Sequence, residues 1–479
     1  MSTVADAVPE QEFAYENPAR VVWTLAWPAV ALNSLQVVNT LLDRGFIGHL
    51  HAAALTAQGG ATNVMFLMFS LAISIATGAT ALVSRSFGAD ERRQVRQAAR
   101  QSLSLAIYAG IAMMLLTTGI AHLTAEWIMP PGALEAKRDM TYFVMAYGCG
   151  LPGIFIIQTL AGSLRGIGDT RSPMVISGIQ ILLHILLNFL LIFPAHRLGP
   201  ITVPGAGLGL LGAGCALSGS ATLSSIAYIL YARRTPLGKM QPFRLPERAW
   251  AQRILRIAIP AAVMSTLRVF SLTAFMQVLK QVPNAEDAIG ALSLAFALES
   301  IMFMPAFGLS SAAAALVGQS LGMKRPDRAE QLGWMACRFG AGVTLVLALP
   351  LFLGAEPIAT VLVPGNPGVI HEASMLLKYL CATEFLFGTA MVLMGAMQGA
   401  GDTVRPLWIA MFCLWGLRVP LAILLTLPKG FALGGFLPLP IGAGMGTTGA
   451  WWALTTTQGL QGVLAFLVFR QGKWKTQKV

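Results

Sequence analysis

Charged residues are scarce in this chain. Asp, Glu, Lys and Arg make up only 11% of its 479 residues, against about 25% in an ordinary soluble domain. So few charges cannot cover a water-facing surface, which excludes a soluble enzyme, a disordered chain and a coiled coil. Cysteine is scarce as well: Cys149, Cys215, Cys337, Cys381 and Cys413 are widely spaced and form no CxxC pair, so neither a zinc site nor a disulfide framework is expected. They read as buried structural thiols. No HExxH motif and no pair of acids on one helix is present, which argues against a membrane-embedded enzyme. The first twenty residues hold Asp6, Glu10, Glu12 and Glu16 but no apolar run, so they read as a polar tail rather than a signal peptide.

What the chain has in abundance is apolar sequence. Hydrophobic residues make up 55%, the mean hydropathy is +0.66, and a membrane helix needs about 20 mostly apolar residues. Twelve windows qualify: 21–47, 56–83, 98–121, 142–164, 173–193, 208–231, 254–279, 288–317, 334–353, 373–397, 406–427 and 447–469. The sequence therefore predicts an all-α integral membrane protein. It has a tail over 1–20, a six-helix lobe over 21–231, a linker over 232–253, a second six-helix lobe over 254–469 and a short tail over 470–479.

Lys and Arg outnumber Asp and Glu by 33 to 21, and the excess is not evenly spread. Alternate loops hold Arg85 through Arg100, then Arg165 and Arg171, Arg233 through Arg256, Lys324 through Arg328, and Arg405; the other loops hold little beyond Lys137, Arg138, Arg197 and Lys429. By the positive-inside rule, both termini and the linker are expected in the cytoplasm of a bacterial-type inner membrane. This explains the net positive charge without nucleic-acid binding.

The two lobes repeat one another. Pro28 in AWPAV matches Pro260 in AIPAAV, LVSRSFG at Leu82–Gly88 matches LVGQSLG at Leu316–Gly322, and RGIGDTRSP at Arg165–Pro173 matches QGAGDTVRP at Gln398–Pro406. The offset between partners is nearly constant across the three landmarks. A duplicated unit of six helices inserts both copies the same way, related by an axis along the membrane normal. A transporter uses such a layout to rock one half against the other.

At these landmarks the chain resembles the multidrug and toxic compound extrusion (MATE) family. DRGFIGHL at Asp43–Leu50 is similar to that family's DTxxVGHL signature, and ESIMFMPAFGLSSAAAALVGQSLG at Glu299–Gly322 to its MPxxGLSxAxxxLVGQ pattern; the GDT turns and RVP at Arg418–Pro420 also fit. The resemblance covers essentially everything after the polar tail. It implies a twelve-helix efflux antiporter exporting amphipathic, often cationic compounds in exchange for protons or sodium, acting as a monomer with no cofactor. One departure from the family pattern matters. The proton-coupled branch carries Asn and Asp four residues apart on its fifth helix, where this chain has His184 and Asn188. The sodium-coupled branch carries a Glu on its seventh helix, where this chain has Arg268, and a tenth-helix carboxylate about a turn from Glu384. The MPAFGLS segment resembles the DinF-type bacterial branch, which favours protons.

The residues themselves point to the same places, because an ionisable group at the bilayer centre costs at least about 2.5 kcal/mol and marks a functional site by default. Asp43 and Asn188 lie at similar depth near the outer ends of their windows, roughly 6–8 Å below the outer edge. His184 is one turn deeper on the face of Asn188. A polar cluster of Asp43, His184 and Asn188 inside the first lobe is expected, suited to taking up and releasing a coupling ion. A plain salt bridge of Asp43 to an arginine is the alternative. In the second lobe, Arg268, Glu299, Glu384 and Arg418 lie at similar distances from the starts of their windows, all near the midplane. They read either as a mutually paired charge network or as the lining of a substrate cavity, to which Gln36 is also assigned. Lys378, near the outer end of its window, can snorkel to the surface.

Weaker signals have bland readings. GLGLLG at Gly207–Gly212 opens a membrane helix and follows no predicted strand, so close helix packing is expected rather than a nucleotide site. Asp169 and Asp402 read as helix caps. His49, His51 and His371 read as solvated. Met302, Met304, Met391, Met394 and Met397 read as core, with a pliable drug pocket the alternative. A lipid-linked flippase is the nearest rival function; it would favour a strongly basic central cavity and extra spans.

Overall fold

The computed structural model describes residues 17–130, 132–198, 201–239, 244–433, 437–438 and 441–477. Among the described residues, twelve helices are long and apolar enough to cross a membrane. They are α1 (Pro18–Gly48), α2 (Ala52–Gly88), α3 (Arg92–Gly119), α4 (Leu134–Gly166), α5 (Arg171–Ile192), α6 (Gly209–Ala232), α7 (Arg248–Leu279), α8 (Ala285–Gly322), α9 (Pro326–Leu353), α10 (Pro367–Gly399), α11 (Val404–Thr426) and α12 (Thr447–Arg470). The chain is a multi-pass membrane protein. Several helices overrun their apolar windows: α8 has 38 residues, about 57 Å of helix against a hydrocarbon core of about 30 Å. The helix α7 begins at Arg248, so the central connector is shorter than expected. Most of the first tail lies outside the described residues.

Lipid-facing and protein-facing sides separate by helical period. On α5, Val175, Ile179, Leu182 and Leu186 are exposed, at spacings of three and four, whereas Ser177, Ile181, His184 and Asn188 are buried. This is the amphipathicity of a soluble helix turned inside out, as expected where the solvent is lipid and the polar side chains must find one another.

Both lobes are built alike. The helix α4 is the centre of the first, packed on α2, α3 and α6; α10 is the centre of the second, packed on α8, α9 and α12. The repeat extends to elements the apolar windows do not reveal. A short helix Ala121–Ile128 between α3 and α4 recurs as Ala355–Leu362 between α9 and α10, at the same repeat offset. An antiparallel hairpin, β1 (Pro194–Leu198) with β2 (Ile201–Ala206), joins α5 to α6, and a smaller one, β3 (Ala432–Leu433) with β4 (Leu437–Pro438), joins α11 to α12. The first helix of each lobe leans on the other lobe. α1 packs chiefly against α8 and α5 rather than α2, and α7 packs against α2.

At the end of the molecule that carries the basic loops and the chain's last residues, the lobes meet closely. A Cβ placed on Gly88 of α2 would lie 2.0 Å from the carbonyl oxygen of Gln319 on α8, and one on Gly318 of α8 would lie 1.9 Å from the hydroxyl of Ser84. Only glycine permits this approach. Gln319 Nε2 donates to the Gly166 carbonyl at 2.9 Å, and Arg85 donates to the carbonyls of Gln477 at 2.7 Å and Ala400 at 3.4 Å. The last residues are held there too: Trp474 is buried and stacked on Phe469 with ring centroids 4.6 Å apart, and Lys475 pairs with Glu330 at 2.6 Å.

Several minor expectations are now placed. Gly212 of the glycine-rich segment abuts the Leu191 carbonyl, 2.5 Å from where its Cβ would stand, so this segment is a packing surface. Asp169 accepts from the Ser172 amide at 3.0 Å and Asp402 from the Arg405 amide at 3.3 Å, as helix-starting caps do. Met302, Met391, Met394 and Met397 are buried core. The cysteine reading needs correction. Cys337, Cys381 and Cys413 are buried, but Cys149 is exposed and Cys215 only partly covered, because an apolar window does not reveal which side of its helix faces lipid.

Candidate functional site

The cluster expected in the first lobe is assembled, with one added member. Asp43 Oδ1 accepts from Asn188 Nδ2 at 2.7 Å and lies 3.9 Å from His184 Nδ1. Asn39, one turn before Asp43 on α1, places its Nδ2 3.4 Å from Asp43 Oδ2 and 3.4 Å from His184 Nδ1. Asn39, His184 and Asn188 are buried, and the Asp43 side chain is 19% exposed. The i,i+4 spacing of Asn39 and Asp43, repeated in His184 and Asn188, brings two polar pairs face to face across the α1–α5 contact. The amide oxygens of Asn39 and Asn188 are buried without a hydrogen-bond partner. No arginine pairs with Asp43 among the described residues, so the plain salt-bridge alternative fails. Gln36 lies one turn from Asn39 on α1 but is exposed and outside the cluster; its carbonyl accepts from the Thr40 hydroxyl at 3.0 Å.

The four midplane charges of the second lobe are placed differently from the paired network. No carboxylate–guanidinium pair among Arg268, Glu299, Glu384 and Arg418 lies within 4.0 Å. Instead, two of them are anchored on neighbouring residues of α12: Glu299 Oε1 accepts from Gln458 Nε2 at 2.8 Å, and Arg418 Nε donates to Thr457 Oγ1 at 3.0 Å. Arg268 turns to Phe387, its Cζ 6.0 Å from the ring centroid, with the Met391 sulfur 3.9 Å from its Nη1. Glu384 is 1% exposed, and its Oε1 has no hydrogen-bond partner. Glu299 thus lies within electrostatic reach of Arg268, Arg418 and Glu384 without a direct ion-pair contact to either arginine. The arginine at position 418 also ends a π-helical turn, Phe412–Arg418, inside α11; such turns shift the helical register and recur at functional sites.

A third buried polar site was missed altogether. Glu372, near the start of α10, accepts from Asn284 Nδ2 at 3.1 Å, Thr447 Oγ1 at 2.8 Å and Trp451 Nε1 at 2.8 Å, tying together α8, α10 and α12. Its counterpart is a contact of His51, which stays largely exposed as expected: His51 Nε2 lies 2.9 Å from Asp139 Oδ2. His51 and Asn284 are partners under the repeat offset, and so are Asp139 and Glu372. The same strut is therefore built in both lobes, with His–Asp in one and Asn–Glu in the other. Only the repeat offset carried this signal in the sequence.

Two repeated six-helix lobes, leaning on each other through α1 and α7 and holding buried polar clusters within the membrane, define a membrane transporter fold. The MatE family model matches residues 28–190 and 260–424, one copy in each lobe. The chain belongs to this family of multidrug and toxic compound extrusion transporters, whose members are transporters and not enzymes. It is 27% identical over 465 residues to a probable multidrug resistance protein NorM of Thermotoga maritima, covering 95% of this chain and 93% of that protein. It is 26% identical over 407 residues to an FAD transporter of Shewanella oneidensis, covering 84% and 86%. Among solved structures, it shares a TM-score of 0.84 at 19% identity with a MOP superfamily transporter of Pyrococcus furiosus described as having a binding pocket of reversed polarity, covering 98% of each chain. It shares 0.82, also at 19%, with an outward-facing multidrug resistance MATE transporter, covering 95% and 96%.

Proposed function

We propose that the protein is a secondary active antiporter that exports amphipathic, often cationic compounds by alternating access in exchange for protons, with sodium the alternative coupling ion. It acts as a monomer in a bacterial-type inner membrane, with the basic end cytoplasmic. The observation that carries this reading is the Asp43–Asn188–Asn39–His184 cluster. An ionised Asp43 only accepts hydrogen bonds, and it accepts them from the Asn188 and Asn39 amides. A protonated Asp43 has a hydroxyl to donate, and the amide oxygens of Asn39 and Asn188 are buried without a donor. Proton uptake therefore exchanges one hydrogen-bond pattern between α1 and α5 for another.

The position of α1 gives that exchange a reach beyond its own lobe. The same helix packs on α8 of the second lobe and contains Pro28, whose missing amide and ring weaken the helix there. A change in how α1 sits on α5 thus bears on the inter-lobe contact, and a proton shifts the two-state balance through its differential affinity for the two states. With the basic end cytoplasmic, close contact of the lobes there is what alternating access requires of an outward-facing state. Efflux from proteoliposomes with pH and sodium gradients imposed separately tests the proposal. Transport driven by the pH gradient supports proton exchange, transport driven only by sodium reassigns the ion, and transport driven by neither refutes antiport.

A further inference from the structure

Arg85 and Gln319 occupy matching places in LVSRSFG and LVGQSLG, yet they are partnered differently. Each reaches the end of the other lobe's central helix: Gln319 donates to the Gly166 carbonyl at 2.9 Å, and Arg85 to the Ala400 carbonyl at 3.4 Å. Arg85 also makes a second and shorter bond, 2.7 Å to the Gln477 carbonyl, which the five donors of a guanidinium permit. That carbonyl belongs to the segment after α12, which is fixed to the second lobe. Gly472, at a φ of +70°, turns the chain back. Trp474 is fully buried, stacked on Phe469 and donating through Nε1 to the Phe469 carbonyl at 2.9 Å. Lys475 Nζ pairs with Glu330 of α9 at 2.6 Å. The segment after α6 stays on its own lobe instead, with Gly238 against Arg96 of α3 and the Glu247 amide donating to Gln101 of α3 at 2.8 Å.

We propose that residues 472–477 form a strap that holds the basic end closed. Trp474 and Lys475 anchor it to α12 and α9 of the second lobe, and it presents one backbone carbonyl to Arg85 of the first. The anchors move with the second lobe, whereas Arg85 rides on α2. The Arg85–Gln477 bond therefore spans the seam and is lost when the lobes part there. An interaction made in one state only shifts the balance toward that state. Because Trp474 seats the strap in advance, the carbonyl meets Arg85 without a further ordering cost. A strap freed from its seat must be ordered first and holds less well. The repeat makes the device one-sided: Gln319 has no such strap to hold, and the shorter amide suffices there. The strap rests on the alternating-access reading only in that the basic end must open.

Amide hydrogen exchange in the full-length protein tests this, with segments 82–90 and 316–324 reporting the seam and segment 366–374 reporting general loosening. Arg85→Gln, which copies the residue at 319, should raise seam exchange roughly 10-fold, since a bond from a charged donor is lost from the closed state alone. Trp474→Ala should raise it similarly although Arg85 is intact, and Trp474→Phe, which keeps a ring on Phe469, should stay near wild type. Lys475→Gln cuts the link to Glu330 and leaves the ring seated; it should give a smaller rise, and it tests the strap even if Trp474→Ala folds poorly. The Arg85→Gln/Trp474→Ala double variant should exceed either single variant by less than about twofold, because both remove the same bond. Wild-type seam exchange in Arg85→Gln or Lys475→Gln overturns the proposal, and so does multiplication of the two effects in the double variant. Gly88→Ala, which parts α2 from α8 sterically, separates the two readings. If it opens the seam and the strap variants do not, the strap falls and alternating access stands; if no variant opens the seam, both fall.

Discussion

Replacing Gly88 by Ala should push the protein out of the state described here. A Cβ at this position would stand 2.0 Å from the carbonyl oxygen of Gln319 and 2.7 Å from its carbonyl carbon. Carbon and oxygen settle at about 3.3 Å or more, so α2 and α8 must part by roughly 1.3 Å. The obstacle is backbone within a helix, which has no rotamer to yield. Overpacking of this kind costs about 1–3 kcal/mol, and the cost falls only on the state in which the basic ends touch. The population ratio of closed to open forms should therefore fall by roughly 5- to 150-fold. Amide hydrogen exchange of segments 82–90 and 316–324 reads the opening directly, and efflux should slow in parallel. Gly322→Ala, whose Cβ would meet the Arg85 carbonyl oxygen at 2.2 Å, should behave alike; Gly342→Ala, with nothing within 4 Å, is the control. Exchange and efflux in Gly88→Ala equal to those of the Gly342 variant would refute the reasoning.

Other positions give further expectations. Glu372→Ala strands two buried donors, Thr447 and Trp451, and removes the partner of the exposed Asn284. It should cost about 3 kcal/mol, seen as a lower melting temperature in detergent, and a wild-type melt would show that this strut carries no stability. Glu299→Gln removes the negative charge that faces Arg268 and Arg418 in a buried site. It should destabilise by about 3 kcal/mol, whereas unchanged melting would identify Glu299 as wet and cavity-facing. In a background freed of the five cysteines, a cysteine at Gly365 should react with an impermeant maleimide applied outside intact cells and one at Lys239 should not; the opposite pattern would invert the orientation.

The sequence disclosed helices and repetition well and direction poorly. Apolar windows located all twelve helices, and the near-constant offset between matching motifs tied one lobe to the other. Asp43, His184 and Asn188 were readable as a cluster because residues on the same helical face at the same depth in neighbouring helices have few other partners. Asn39 was equally readable from its i,i+4 spacing to Asp43, but an uncharged amide does not stand out in a scan for charges. The midplane residues show the limit. Which way Glu299 and Arg418 point depends on how each helix is rotated against its neighbours, and Gln458 and Thr457 on α12 take their hydrogen bonds. The swapped seating of α1 and α7 is invisible in any local pattern, since it arises from contacts between residues far apart in the chain.

If proton binding at Asp43 drives transport, Asp43→Asn must uncouple it. Asn preserves the side chain's shape and a hydrogen bond to Asn188 but cannot bind and release a proton. In proteoliposomes with an imposed pH gradient, this variant should fold, bind substrate and show no gradient-driven efflux. Wild-type efflux under the same gradient would place the coupling site elsewhere, with Glu384 and Glu299 the next carboxylates to replace.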